Sequence, residues 1–124
     1  MSESNIFKKI SDLNRTLHEP SRLAIMTVLS SCKSADFLFI QRVTTLSKGN
    51  LSSHLSRLEK EELVKIQKTY EGKKPVTIIS LTKAGKKAIE NHWEQLEELK
   101  KQSSDWEPEF EKKMPGPGTL RLKT

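Results

Sequence analysis

Apolar residues in the first third of the chain recur every three or four positions, which is the spacing of amphipathic helices. This pattern predicts a first helix over residues 4–17 and a second over residues 20–31. Pro20 separates the two helices, because a proline disfavours helical conformation in the residue before it, Glu19, and is favourable in the first turn of a new helix.

Two further short helices are predicted next. The third covers about residues 36–46, and either Ser34 or Asp36 supplies a side-chain oxygen that caps its free backbone N–H groups. The fourth covers about residues 48–61 and is capped by Ser47. Because only a tight turn separates them, the two are expected to form a helix-turn-helix pair.

The period of the hydrophobic pattern then changes from about 3.6 to about 2 residues. Residues 63–70 alternate and residues 75–81 are rich in β-branched side chains, so both predict strands, joined by a turn around Gly72. Thr82 is expected to cap a last helix at about residues 83–101. The predicted fold class is mainly α with a small β-hairpin: a winged helix-turn-helix of about five helices and a two-stranded wing.

The domain boundaries follow from where the periodic pattern ends. Residues 1–102 are predicted to form one winged-helix domain that finishes with a dimerisation helix. Residues 103–124 contain few apolar side chains and several prolines and glycines, which predicts a flexible C-terminal tail.

The fourth predicted helix carries the most informative surface. Leu51, Leu55 and Leu58 form one narrow apolar stripe. The opposite face carries Ser53, Ser56, Arg57 and Lys60, with Ser52 and His54 on its flanks and no carboxylate before Glu59. Small hydroxyls allow close approach to a groove of duplex DNA, and an arginine reaches guanine or phosphate. The alternative is a face that only meets water, although serine is a mediocre helix former. His54 fits a groove contact and a hydrogen-bonded histidine at the edge of the core equally well.

The charge distribution points to an anionic partner for the middle of the chain. The 124 residues include 22 Lys and Arg against 16 Asp and Glu, a net charge of +6. Residues 48–81 carry a net charge of +3, from seven basic and four acidic residues, whereas residues 82–112 carry −2, from six and eight. Lys73 and Lys74 of the hairpin turn are candidates for contacts with phosphates or with the minor groove. An ordinary solvated surface is the alternative.

Three blocks of the sequence carry motifs. The first is residues 18–25 (HEPSRLAI), the second is residues 46–59 (LSKGNLSSHLSRLE), and the third is the pair of segments 70–75 and 81–85. In that order they resemble the H-x-P-x-R-L-x-I opening, the recognition-helix motif L-[ST]-x-G-N-L-S-x-H-L-x-x-L-E, and the wing with its strand-to-helix junction of MarR/ArsR-like winged helix-turn-helix transcriptional regulators. The resemblance covers about residues 4–100 and implies a dimeric, sequence-specific DNA-binding regulator. Carried over position by position, it implies eight DNA-facing residues: Lys48, Asn50, Ser52, Ser53, His54, Arg57, Lys73 and Lys74.

Other classes of function find little support in the residues. The metal-sensing branch of that family usually has paired cysteines near the recognition helix, or His and acidic ligands on the terminal helix. Here Cys32 stands alone, and His92 shares no helical face with Glu90 or Glu94. The glycines are scattered, and no arrangement of Ser, His and Asp or of Cys and His stands out. We therefore expect no enzyme activity, no metal site and no cofactor.

The compartment is predicted from two features. The longest apolar run has about four residues, whereas a membrane-spanning helix needs about 20, so neither a membrane span nor a signal peptide is expected. A single cysteine allows no intrachain disulfide, which suits a reducing, cytoplasmic location.

Dimerisation is expected because one recognition helix offers too few contacts for a selective DNA site. A two-fold dimer presents two recognition helices about 34 Å apart, a distance that equals one turn of DNA. The first and last helices carry apolar residues beyond the needs of a small core. The predicted interface comprises Ile6, Ile10, Leu13, Ile89, Trp93, Leu96 and Leu99. The alternative is that these residues pack only within their own monomer.

The predicted function is a sequence-specific regulator of transcription that binds double-stranded DNA as a homodimer. The fourth helix is expected to enter the major groove, and the wing to contact the backbone or the minor groove. The alternative is a winged-helix protein–protein interaction module without specific DNA binding, because the fold alone does not separate the two. The sequence identifies no small-molecule effector.

Overall fold

The computed structural model describes the backbone of residues 3–105 and the side chains of residues 7–103. The side chain of Ile6 and nearly all of the predicted tail at 103–124 lie outside these residues. The elements in chain order are α1 (Glu3–Ser11), α2 (Pro20–Ser30), β1 (Ala35–Asp36), α3 (Phe37–Thr44), α4 (Lys48–Lys60), β2 (Val64–Glu71), β3 (Lys74–Leu81) and α5 (Lys83–Asp105). The described chain thus has the predicted mainly α fold with five helices and a small sheet.

The first helix is shorter than predicted, since residues 12–17 form turns instead of continuing α1. The side-chain oxygen of Asn14 accepts hydrogen bonds from the backbone N–H groups of Thr16 at 3.0 Å and Leu17 at 3.1 Å. Such side-chain bonds offer the backbone an alternative to the helix. The turns bury the side chains of Leu13 and Leu17, so both positions are apolar. Their spacing of four residues therefore resembled that of a helix.

The later helices begin where the sequence indicated. Pro20 occupies the first turn of α2, and Glu19 before it is the capping residue. Asp36 rather than Ser34 caps α3, and Ser47 caps α4 as expected. Each cap satisfies backbone N–H groups that the first turn of a helix leaves without partners.

The sheet contains three strands, whereas the sequence pattern predicted only the two strands of a hairpin. β2 and β3 pair antiparallel along their whole length, from Val64 opposite Leu81 to Glu71 opposite Lys74. β1 lies on the other side of β3, so the strand order is β1-β3-β2. With only two residues, β1 is too short to leave an alternating pattern in the sequence.

One cluster of aliphatic side chains forms the core, and α2, α3, α4, α5 and the sheet all contribute to it. Leu51, Leu55 and Leu58 of α4 are buried in this cluster, which confirms the predicted apolar stripe. Full burial of one such side chain is worth about 1.5–3 kcal/mol, so the stripe fixes which face of α4 turns outward. Within the described residues, no helix is long and apolar enough to cross a membrane.

Candidate nucleic-acid interface

A tight turn of residues 45–47 joins α3 to α4. Thr45 ends α3 in the left-handed conformation, with φ of 59°, and its N–H donates to the carbonyl oxygen of Gln41 at 2.8 Å. The Ser47 hydroxyl then accepts from the N–H of Asn50 at 3.1 Å and starts α4. Two short helices joined in this way form a helix-turn-helix, in which the second helix is the recognition helix.

The outer face of α4 carries most of the predicted DNA-facing residues. Opposite the buried leucine stripe lie small hydroxyls, an amide and basic groups, and all of them are exposed. These residues are Lys48, Asn50, Ser52, Ser53, Ser56 and Arg57. A polar surface with short side chains at its centre permits close approach of a double helix.

The wing presents its lysines beside this face. Gly72 takes a positive φ of 67° at the first of the two turn residues, and Lys73 occupies the second. Lys73 and Lys74 are both exposed. An open groove separates the wing from α4 and the start of α3, and its charged and hydroxyl lining groups are Asp36, Lys48, Ser52, Ser56, Glu59, Lys68, Glu71, Lys74 and Thr77. Three lysines face three carboxylates there, so the groove itself has no excess of positive charge.

His54 lies on the inner flank of α4, where its side chain is 22% exposed. The Arg22 guanidinium lies 3.3 Å from His54 Nδ1, and because arginine only donates, Nδ1 acts as the acceptor in this contact. The Glu19 carboxylate lies 3.8 Å from the same nitrogen. His54 therefore connects the recognition helix to the beginning of α2. Of the two interpretations left open by the sequence, this contact resembles the core-edge histidine, with a side-chain partner instead of a backbone one.

Glu19 is ionised at neutral pH. Burial opposes its charge, but hydrogen bonds from the backbone N–H groups of Arg22 and Ser21 outweigh this effect. Together with the electrostatic influence of the nearby His54 and Arg22, they lower the pKa of Glu19 below its ordinary value of 4.5. The Glu19 carboxylate thus caps α2. It also lies 4.0 Å from Nε of Arg22, the residue that contacts His54.

Arg57 is paired with Glu61, the residue that directly follows α4. Its Nε donates to Oε2 of Glu61, and the two side chains are 55% and 36% exposed. The hydroxyl of Thr16, a residue only 5% exposed, lies 2.7 Å from each carboxylate oxygen of Glu61. The hydrogen bond from Arg57, followed by that from Thr16, lowers the pKa of Glu61 below 4.5.

The C-terminal end of α4 is joined firmly to the base of the wing. The N–H groups of Glu62 and Leu63 donate back into the last turn of α4, and Glu62 has a positive φ of 62°, which together define a Schellman motif. The Thr82 hydroxyl donates to the carbonyl of Glu62 at 2.6 Å and accepts from the N–H of Gly85 at 2.9 Å. A Cβ at Gly85 would lie 1.9 Å from the carbonyl oxygen of Leu63, so only glycine fits here. These contacts fix the wing relative to α4.

The predicted interface residues divide into two groups. Leu13 and Ile89 are buried within the monomer, at 5% and 2% exposure. Ile10 is 48% and Trp93 40% exposed, and Leu96 and Leu99 of α5 are half-buried. A second large exposed residue on α1, Phe7, is 74% exposed. An ion pair of 3.8 Å between Lys9 and Glu98 connects α1 to α5, so these exposed residues lie on neighbouring helices.

His92 of α5 is a buried histidine whose two ring nitrogens have no hydrogen-bond partner within the part of the chain that the structure describes. Its ring centroid lies 5.6 Å from that of His18. Burial, with a smaller contribution from His18, lowers the pKa of His92 below 6.5, so the ring is neutral at neutral pH. Among the described residues, no group of three or more His, Cys, Asp or Glu side chains could hold a metal ion.

The helix-turn-helix, the wing and the polar outer face of α4 define the class of protein: a winged-helix protein of the DNA-binding kind. The model of the family described as "Winged helix DNA-binding domain" matches residues 21–100, and the chain belongs to this family. The resemblance to winged helix-turn-helix regulators predicted from the motifs is thereby confirmed.

Known proteins similar to the chain agree with this assignment. An uncharacterized protein of Methanocaldococcus jannaschii is 29% identical over 80 residues, which cover 64% of this chain and 87% of that protein. A transcriptional regulator homologue of Pyrococcus horikoshii is 32% identical, with a TM-score of 0.71 over 78% of this chain and 95% of the other. BpsR of Bordetella bronchiseptica, whose DNA binding is regulated by 6-hydroxynicotinic acid, shares the fold at 11% identity, with a TM-score of 0.60 over 81% and 76%. Fold and relatives together indicate a DNA-binding regulator of transcription.

Sequence reasoning missed the residues that hold the recognition helix from behind. Glu19, Arg22 and Thr16 are far from α4 in sequence, and no local pattern relates them to His54 or Glu61. The spacing of four residues between Arg57 and Glu61 was a visible signal, because oppositely charged residues at that spacing lie side by side on a helix.

Proposed function

We propose that the protein regulates transcription as a homodimer that recognises a specific duplex sequence. In this proposal α4 enters the major groove, and the wing contacts the DNA backbone or the minor groove. The outer face of α4 supports it most directly, because its exposed side chains other than the carboxylate of Glu59 are small hydroxyls, an amide and basic groups, with the apolar stripe entirely inward. A helix with this face fits the major groove, which is about 12 Å wide.

The assignment of groove and backbone contacts is tested by two substitutions after selection of a preferred site from random duplexes. Arg57→Ala should weaken binding by about 1–3 kcal/mol, mainly on the selected site, if its guanidinium pairs with a guanine edge. Lys73→Ala should weaken binding to all duplexes similarly and flatten the dependence of affinity on salt, since a phosphate contact releases counterions. Mobility shifts at several salt concentrations measure both effects, and unchanged affinity in both variants would contradict the proposed binding face.

The second part of the proposal is a dimer through α1 and α5. Phe7, Ile10 and Trp93 are large apolar residues left exposed on these two neighbouring helices, away from α4. The segment 82–112 carries a net charge of −2, which suits contact with another protein surface better than contact with DNA. Two recognition helices related by a two-fold axis would then read an inverted repeat.

Light scattering at micromolar concentration tests the dimer. We expect the wild-type protein to have twice the chain mass of 14.2 kDa. Ile10→Glu combined with Trp93→Glu should give folded monomers, because both side chains are exposed and their loss leaves the core intact. Tyr70→Glu removes an even more exposed aromatic from the wing and should leave the mass unchanged. A wild-type mass of a single chain would refute the dimer and the expectation of an inverted repeat.

A protein–protein interaction module remains the second candidate function. It is favoured by exposed apolar residues on α3, namely Leu38, Phe39 and Val43. The same mobility shifts separate the candidates: an interaction module would show no duplex sequence preference, and Lys73→Ala would not alter the salt dependence.

A further inference from the structure

We propose that Glu61 and Thr16 are positioning residues that set the sequence specificity of the DNA contact by holding the Arg57 guanidinium in one orientation. This inference rests on the proposed function, in which the outer face of α4 reads DNA. It assigns a role to two residues that lie outside the set of eight DNA-facing residues.

The first step is the geometry of the arginine. Glu61 engages Arg57 through Nε, and the two terminal guanidinium nitrogens make no hydrogen bond to any of the described residues. Those two nitrogens form a planar fork that matches a pair of acceptors such as O6 and N7 of guanine. An arginine held at Nε therefore presents its free edge with few rotamers left to lose on binding.

The second step is the anchor of the carboxylate. Glu61 follows α4 directly and by itself would be a mobile surface side chain. The Thr16 hydroxyl, 2.7 Å from both carboxylate oxygens and almost fully buried, fixes it from behind. The backbone carbonyl of Thr16 also accepts from Nε of Arg22 at 2.7 Å, which fixes Thr16 in turn. A buried hydroxyl, a carboxylate and a guanidinium thus form a continuous chain of hydrogen bonds that leads to the DNA-facing side.

The third step is electrostatic. A carboxylate beside the binding face repels DNA phosphates, so Glu61 lowers the affinity for DNA in general. Its low pKa shows that this charge persists at neutral pH. A residue that reduces general affinity yet orders the arginine raises the ratio of specific to non-specific binding, which is the quantity that matters for a regulator.

The test compares each variant on the duplex selected by the wild-type protein and on the same duplex with every G·C pair replaced in turn by A·T. For the wild type, one replacement per half-site should reduce affinity by about tenfold or more. Arg57→Lys should abolish this discrimination, because a lysine has no planar fork.

Glu61→Ala, which removes the acceptor as well as the charge, should lose most of the discrimination at that same pair while binding to non-specific duplex stays equal or increases. Glu62→Ala is the matched control: it removes the same charge one residue later, from a side chain without a hydrogen bond or ion pair to the described residues, and should keep the discrimination. Thr16→Val should also reduce the discrimination, but without increased non-specific binding because the charge of Glu61 remains, and Thr16→Ser, which keeps the hydroxyl, should behave like the wild type. Circular dichroism of each variant verifies the fold.

Three outcomes overturn the inference. If Glu61→Ala keeps the wild-type discrimination, the carboxylate does not position Arg57. If Glu62→Ala and Glu61→Ala change binding equally, only the charge matters. If Arg57→Lys weakens binding to all duplexes equally, the arginine contacts phosphate and reads no base. A wild-type protein that fails to discriminate any duplex would refute the proposed function as well, whereas the three outcomes above leave that function intact.

Discussion

Replacing Gly85 with alanine tests the junction that fixes the wing. The added Cβ would lie 1.9 Å from the carbonyl oxygen of Leu63 and 2.9 Å from its carbonyl carbon. This oxygen also accepts the N–H of Thr82 at 3.1 Å, so it cannot move without loss of a hydrogen bond. Overpacking of a rigid contact costs typically about 1–3 kcal/mol and sometimes more. A contact of 1.9 Å with a backbone oxygen places the cost at the upper end of this range or above it. The better helix propensity of alanine returns about 1 kcal/mol, so we expect a net loss of about 2 kcal/mol or more.

Gly49 provides the control for this substitution. It also lies in the first turn of a helix, and a Cβ there would meet no atom within 4 Å. Gly49→Ala should therefore raise the free energy of unfolding by up to about 1 kcal/mol. Urea titration followed by circular dichroism measures both variants. The reasoning is refuted if Gly85→Ala stabilises the protein as Gly49→Ala does.

Other parts of the fold make further predictions. Glu62 has a left-handed conformation at a position where helices prefer glycine, so Glu62→Gly should raise the free energy of unfolding by about 0.5 kcal/mol in the same titration; a decrease would contradict the helix-end geometry. Burial lowers the pKa of His92, so the unfolded chain binds an extra proton below pH 6.5 and stability should fall as the pH drops through that value. A pH series with His92→Leu should lack this fall. The pKa values of Glu19 and Glu61 also lie below 4.5, so a second loss of stability should follow as the pH falls through 4.5 toward the lowered values, and Glu61→Gln should reduce it.

The parts of the fold that sequence reasoning found are those with a local physical signal. The leucine stripe of α4 has the helical period, the hairpin strands have a period of 2, and Pro20, Ser47 and Thr82 mark helix starts by their own chemistry. The strand β1 was missed because pairing of two residues depends on a partner more than 40 positions away along the chain. For the same reason, sequence reasoning listed His54 and Arg57 as DNA-facing but did not identify Arg22 and Glu61 as their side-chain partners.

The error in the first helix and the missed contacts behind α4 have one cause. If residues 12–17 continued α1, the N–H groups of Thr16 and Leu17 would donate to the carbonyls four residues earlier, whereas in the structure both donate to the side-chain oxygen of Asn14. The turn made by Asn14 breaks the helix and places the carbonyl of Thr16 toward Arg22 and its hydroxyl toward Glu61. Local pattern predicts a helix where tertiary contacts require a turn, and such conflicts are expected to concentrate at functional sites. That the conflict lies directly behind the recognition helix is therefore an independent reason to place function there.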